Sequence, residues 1–147
     1  MADRNQIIEE LLNQPCYIVD FLPEQVPASS KGQFFSVENY LLNEFRQYRI
    51  ADKFVNIILK LMCYYKISIL WDNWIEQPNP ALVADIVNEI MENHSGTLNL
   101  LFPEEKALLI FEWDWIGMSI YNPNEDMQKI ISALAASEGL FYRKSLQ

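Results

Sequence analysis

The chain of 147 residues is half hydrophobic and 13% aromatic, and it has a formal net charge of -9. This length suits one hydrophobic core rather than two ordinary domains, and the composition excludes a disordered or low-complexity chain, so residues 1–147 are expected to fold as a single domain. The charge is unevenly distributed, because residues 67–128 carry eleven carboxylates and one cation, Lys106, and therefore have a net charge of -10. Such a segment repels phosphate backbones and attracts cationic partners, so nucleic acid is not an expected ligand.

Hydrophobic periodicity predicts four helices and up to six strands, in the order α-β-α-β-α-β-β-β-α-β. The predicted helices cover residues 5–13, 37–62, 80–93 and 123–138. The predicted strands cover residues 16–22, 66–72, 97–102, 107–113, 116–121 and 140–143. Connections as short as those between the later strands join neighbours antiparallel. The expected fold class is α+β, with a mixed, mainly antiparallel sheet of about five to six strands and four helices packed on it.

Local signals set several of the predicted helix boundaries. Ser36 is expected to cap the second helix, in which a break is expected near Ile50. The pairs Asn79-Pro80 and Asn122-Pro123 each place a capping side chain before a proline that suits the first helical position. Gly139 suits the C′ position of the last helix, where a left-handed backbone is common.

The sequence lacks the motifs of the common catalytic and nucleotide-binding sites. His94 is the only histidine, the four glycines are dispersed, and no G-x-S-x-G, P-loop or dinucleotide-binding pattern is present. Asp85, Glu89 and Glu92 share one face of a predicted helix, but no second element supplies converging metal ligands, so a solvated face is expected. We therefore expect no cofactor and no metal site, and we favour a protein that is not an enzyme.

Cysteine usage and hydropathy indicate the expected compartment. Cys16 and Cys63 lie in apolar surroundings without a histidine nearby, which predicts buried, reduced thiols rather than a disulfide or a zinc site. The opening MADRNQIIEELL lacks the features of a secretory signal, and the apolar runs are far shorter than the roughly 20 residues that span a bilayer. We expect a cytoplasmic protein that is not bound to a membrane.

Two segments place tryptophans beside acids at strand ends, namely Trp71-Asp72-Asn73-Trp74 and Trp113-Asp114-Trp115. Indole faces attract cations and carboxylates pair with them, so exposed members would bind a cationic partner. In the alternative interpretation the indoles face the core, except Trp74, which lies beyond the strand pattern and is expected to be exposed. The candidate partner-binding residues are Asp72, Trp74, Glu76, Glu112 and Asp114, together with Phe34 and Phe35.

Phe34 and Phe35 follow a predicted loop, residues 23–33, that two prolines stiffen. Residues 20–35 are unusually apolar for a loop. They either line a groove that receives a partner or form a packed lid over one end of the core, and the sequence favours neither interpretation over the other.

A short basic stripe opposes the acidic half of the chain, with Arg46, Arg49 and Lys53 at helical spacing. Three cations on a strongly acidic molecule make a weak nucleic-acid footprint. The stripe would instead suit the acidic face of a second copy, so a homo-oligomer is one alternative.

The function that we expect is a non-enzymatic acidic interaction protein, an adaptor or an immunity-like or antitoxin-like neutraliser, that binds a basic protein partner. This comparison is one of physical class and depends on no family motif. The alternatives are an enzyme of unrecognised type, with a site between residues 20–35 and the sheet end near Asp72 and Asp114, and a self-associating structural protein.

Overall fold

The computed structural model describes residues 3–145 and, within them, every side chain except that of Lys31. The helices are α1 (Arg4–Leu11), α2 (Lys31–Asn43), α3 (Phe45–Tyr48), α4 (Ile50–Leu61), α5 (Pro80–Asn93) and α6 (Glu125–Ser137). The strands are β1 (Cys16–Asp20), β2 (Ser68–Trp71), β3 (Asn73–Glu76), β4 (Thr97–Phe102), β5 (Ala107–Glu112), β6 (Gly117–Tyr121) and β7 (Phe141–Lys144). A 3₁₀ turn, Ala28–Ser30, precedes α2.

The seven strands form one sheet in the order β3-β2-β4-β5-β6-β1-β7. The predicted α+β class is confirmed, although every neighbouring pair is antiparallel and the described residues form seven strands and six helices. The short connections predicted between β4, β5 and β6 make these strands sequential neighbours. Strand β1, by contrast, pairs with β6 and β7, which come last in the chain.

One face of the sheet packs against α4, α5 and α6 and forms the main core. Alternation along the strands places Leu100 and Leu109 on this face, and neither side chain is accessible to solvent. Helix α4 supplies the helical side of the core, where the ring of Phe54 packs against that of Phe111 at 5.8 Å between centroids. Within the described residues no helix has both the length and the apolar character needed to cross a membrane.

The opposite face of the sheet is covered at one end by α1. Leu11 of this helix packs with Leu101 and Leu108, which alternate with the main-core residues of β4 and β5. Further along this face, Ile110 and Ile18 are only half-buried. Helix α1 therefore leaves the other end of this face to the segment that follows β1.

The capping signals were right for α5 and partly wrong for α6. Asn79 caps α5, since its Oδ1 accepts a hydrogen bond from the Ala81 amide at 2.8 Å, and Pro80 is the first helical residue. Helix α6 is capped by Asn124, whose Oδ1 accepts from the Met127 amide at 2.8 Å, and not by Asn122. Asn122 takes a left-handed backbone with φ 60° and donates its side-chain amide to the Lys106 carbonyl instead.

The long helix predicted after Ser36 consists of three shorter ones. Ser36 lies inside α2, where its hydroxyl donates to the Gly32 carbonyl at 3.3 Å, so its predicted capping role is wrong. The break near Ile50 is confirmed, because Arg49 has φ 55° and separates α3 from α4. Gly139, with φ 74°, follows the C-cap of α6 as predicted.

The thiols differ from the prediction in their exposure. Cys16 and Cys63 are both free, as expected, but Cys16 is half-buried and Cys63 is exposed. Cys63 lies just beyond α4, where the chain turns away from the core. The prediction of two buried thiols is therefore wrong.

Candidate functional site

The strand register divides the predicted partner-binding acids between the two ends of the sheet. Asp72 forms the turn between β2 and β3, level with the start of β4, and Glu112 pairs with Thr97 at that same end. Asp114 lies in the β5–β6 turn beyond Glu112. Glu76 pairs with Ser68 at the opposite end, so the predicted set does not form one surface.

Trp74 is held by α1 and is not the exposed anchor that the sequence predicted. Its indole Nε1 donates to the Asn5 Oδ1 at 3.4 Å, and the Arg4 guanidinium lies 5.4 Å from the ring centroid. Arg4 also pairs with Glu76. Trp74 is half-buried against the cluster beneath α1, so these residues serve the attachment of that helix.

Trp71 and Trp113 pack against the main core, as the alternative interpretation of the indoles had it. Trp113 also stacks on the exposed His94, with 4.8 Å between ring centroids. Trp115, two residues beyond Trp113, does not follow it into the core. Its indole lies against Gly117 and lines the same cavity as Ile18, on the face of the sheet opposite to the main core.

Trp115 borders a cavity of about 420 Å³ between that sheet face, the segment after β1 and the first turns of α2, which we name the acidic cleft. The residues that line it are Ile18, Asp20, Gln25, Val26, Phe34, Phe35, Glu38, Asp114, Trp115 and Arg143. Three of these described residues are acids and one is a cation. The cleft thus brings together three of the predicted partner-binding residues, Phe34, Phe35 and Asp114.

Asp20 and Arg143 form a largely buried ion pair among the residues that line the acidic cleft. The Arg143 Nη2 donates to the Asp20 Oδ2 at 2.6 Å, and the two side chains are only 19% and 11% exposed. The residues lie on the adjacent strands β1 and β7. Because a charge-assisted hydrogen bond in a poorly solvated site is strong, the pair fixes both side chains and neutralises one of the three acids.

Glu38 projects from α2 into the acidic cleft. Its Oε2 accepts a hydrogen bond from the Ile116 backbone amide at 3.2 Å, which ties α2 to the β5–β6 turn. Burial raises the pKa of Glu38 above its ordinary value of 4.5, although the hydrogen bond from Ile116 acts to lower it. The negative charges of Asp20 and Asp114 raise the pKa further. The acids therefore lie close enough to repel one another.

Trp115 is positioned by the absence of a side chain at Gly117. A Cβ atom at Gly117 would lie 2.1 Å from the Trp115 Cζ3, so the indole rests directly on the glycine backbone. Gly117 is the first residue of β6. The indole therefore lies against the sheet at the edge of the cavity.

Phe34 and Phe35 form an aromatic wall of the acidic cleft. They belong to the first turns of α2 rather than to a loop, and their ring centroids are 5.5 Å apart. Phe34 is half-buried and stacks on Phe21 at 6.3 Å, whereas Phe35 is 55% exposed. The segment combines the two alternatives left open by the sequence, because Phe34 and Phe35 line a groove while Phe21 packs against the main core.

Comparisons with known proteins add no assignment to this geometry. No protein-family model matches the chain. No curated protein and no solved structure matches it either. Among residues 3–145, no group of three or more histidine, cysteine, aspartate or glutamate side chains is arranged to hold a metal ion.

The remaining acids of residues 67–128 are spread over the molecule. Glu104 and Glu105 follow β4 at the end of the sheet opposite to Asp114, and a six-residue strand separates those ends by about 20 Å. Glu92 pairs with Arg46 of the basic stripe, and Glu104 lies 3.4 Å from the Lys66 Nζ. The concentration of charge along the sequence therefore does not become one continuous surface.

No pattern in the sequence indicated Asp20, Glu38 or Arg143 as members of the site. Asp20 and Arg143 are 123 residues apart, and no local pattern links them. Glu38 falls within the helical stripe, where acids are commonly solvated. The one available signal was the enzyme alternative, which placed a site between residues 20–35 and the sheet end near Asp72 and Asp114. The cleft includes Asp114 and not Asp72.

Proposed function

We propose that this protein is a non-enzymatic acidic interaction protein of the cytoplasm that binds a basic protein partner. Its role would be that of an adaptor or of an immunity-like or antitoxin-like neutraliser. The observation that supports the proposal is the acidic cleft, where three acids and three aromatic side chains surround one cavity that contains a single arginine among its described lining residues.

The chemistry of the cleft suits a cationic protein segment. Asp114 is exposed at its rim, and Phe35 presents an apolar surface beside it. Negative groups around a concave, poorly hydrated site raise the local potential, which attracts a cation and accelerates encounter. Aromatic residues next to such charges are common anchors of protein interfaces.

The cytoplasmic assignment is supported by the free thiols. Cys16 and Cys63 form no disulfide, and the exposed Cys63 would be prone to oxidation outside a reducing compartment.

Charge removal in the cleft tests the proposed partner. The partner would be captured from native lysate on the immobilised protein, identified and purified, and its association rate measured against variants. The double variant Glu38→Gln, Asp114→Asn should associate about tenfold more slowly at low salt, because steering depends on these charges. The difference should shrink as salt increases.

A double variant on α5, Asp85→Asn with Glu89→Gln, is the matched control, since it removes two exposed charges away from the cleft. It should associate nearly as fast as the wild type. A third variant, Asp72→Asn with Glu76→Gln, tests two of the acids that the sequence predicted to bind the partner. Equal rates for the cleft variant and the α5 control would contradict the proposal.

An enzyme that acts on a small molecule is the second candidate function, and the raised pKa of Glu38 in a cavity favours it. A carboxyl group with this property can act as a general acid. A metabolite that raises the melting temperature of the wild type, but not that of Glu38→Gln, would support this candidate over the first.

A further inference from the structure

The acidic cleft contains more negative charge than its own arginine neutralises. Asp20 is paired with Arg143 at 2.6 Å. Glu38 and Asp114 have no ion-pair partner among the described cations. Both line the same cavity as the ion pair, so the uncompensated charge faces a space that a ligand can enter.

The aromatic groups of the cleft provide a flat surface next to this charge. The Trp115 indole lies against Gly117 on the sheet and also lines the cavity. Indole rings attract cations over their faces, and a guanidinium is planar and stacks on a ring, whereas an ammonium group is a compact, strongly hydrated point charge. The cleft therefore combines negative charge with an aromatic face, and a guanidinium can interact with both at once.

The protein already contains one arginine bound in this cleft. Arg143 reaches Asp20 with its side chain four-fifths buried, which shows that the cleft accommodates a guanidinium paired with a carboxylate. Glu38 and Asp114 present two further carboxylates, and arginine binds carboxylates through its fixed fork of N–H donors more specifically than lysine does.

We infer that the partner segment entering the acidic cleft carries an arginine, which stacks on Trp115 and pairs with Asp114 and Glu38. This inference rests on the proposed function and names the residue of the basic partner that the cleft recognises. A lysine-bearing segment would share the charge attraction but lack the stacking and the fork geometry.

Peptide titration tests this inference directly. The probes are two pentapeptides with blocked ends, glycine at four positions and either arginine or lysine at the centre. Binding would be followed by NMR at low salt in the full-length protein, through the backbone amide signals of Ile116 and Gly117 in every variant and through the indole N–H signal of Trp115 where the tryptophan is present. The arginine peptide should bind about fivefold more tightly than the lysine peptide. In Asp114→Asn the arginine peptide should bind about tenfold more weakly than to the wild type.

Trp115→Leu should reduce the preference for arginine over lysine to about one while leaving weak binding of both peptides. Trp74→Leu is the matched control, because it removes an indole on the far side of β2, and Asp85→Asn is the control for charge. Both should retain the preference. Asp114 lies in an exposed turn, so its variant still tests the inference if Trp115→Leu does not fold.

Two results would overturn the inference and are distinguishable. Equal affinity for the two peptides, with both weakened by Asp114→Asn, would reject arginine recognition and leave the proposed cationic partner standing. No shift of the Trp115 signal with either peptide at millimolar concentration would reject both the inference and the use of this cleft by a basic partner.

Discussion

Gly117 controls the shape of the acidic cleft although it contributes no side chain to it. The indole of Trp115 occupies the volume where a Cβ atom would project. Any larger residue would push the ring toward the cavity or tilt it away from the sheet. A single hydrogen at this position therefore decides where the aromatic surface of the cleft lies.

Gly117→Ala should lower the free energy of unfolding by about 1–3 kcal/mol, because the added methyl overpacks against the Trp115 ring. Urea titration followed by circular dichroism measures the change. Gly32→Ala is the control, since a Cβ atom there has open space around it and Gly32 lies within α2, where alanine is preferred. Equal stability of Gly117→Ala and the wild type would show that Trp115 does not rest on the glycine.

Part of the acidic cleft was predictable because some of its residues carry local signals in the sequence. Asp114 lies beside two indoles, and Phe34 and Phe35 follow a proline-rich segment. The Asp20–Arg143 pair has no such signal, because it depends on the pairing of β1 with β7 across 123 residues. The predicted exposure of Trp74 was wrong for the same reason, since α1 reaches it from the start of the chain.

At the scale of elements, the helix and strand types followed the hydrophobic pattern, and the errors lie at boundaries. Asn79-Pro80 gave the correct start of α5 because the capping side chain and the proline both indicate the same helix boundary. Asn122-Pro123 was misleading because Asn124, two residues later, is a second capping residue that lies directly before the acidic first turn of α6. Strand β3 was missed because Asp72 reverses the chain alone, with φ 63° and no glycine or proline.

Removal of the two observed caps should destabilise the fold by similar amounts. Asn79→Ala and Asn124→Ala each lose a side-chain hydrogen bond to a helix amide, so each should lower the free energy of unfolding by about 1 kcal/mol. Ser30→Ala is the control, because Ser30 precedes α2 without a capping hydrogen bond and should change stability by only a few tenths of a kcal/mol. Chemical unfolding curves compare the three variants, and a cost for Ser30→Ala equal to the others would contradict the assigned caps.

At the scale of the whole molecule, the basic stripe has internal uses. Arg46 pairs with Glu92, and the Lys53 Nζ donates to the Glu138 carbonyl at 2.8 Å. Two of the three cations that would meet a second copy are thus engaged within the chain. The acids that they would meet are divided between the two ends of the sheet and α5.

The pure protein should therefore sediment as a monomer at both low and high salt. Sedimentation velocity at 20 and 300 mM salt over a range of protein concentrations measures this. A sedimentation coefficient that rises with concentration at low salt only would instead support the self-associating structural alternative, in which acidic and basic surfaces of two copies meet.

The place of β1 in the sheet has a consequence for biosynthesis. Both of its neighbours, β6 and β7, are translated roughly 100 residues after it. The nascent β1 therefore leaves the ribosome with neither edge hydrogen-bonded to a neighbouring strand. Asp20 must wait for Arg143, 123 residues downstream, before its charge is neutralised. Closure of so long a loop is slow, and an unpaired apolar strand invites contacts with other chains in the meantime. The acidic cleft is consequently among the last parts of the molecule to be completed as the chain is made.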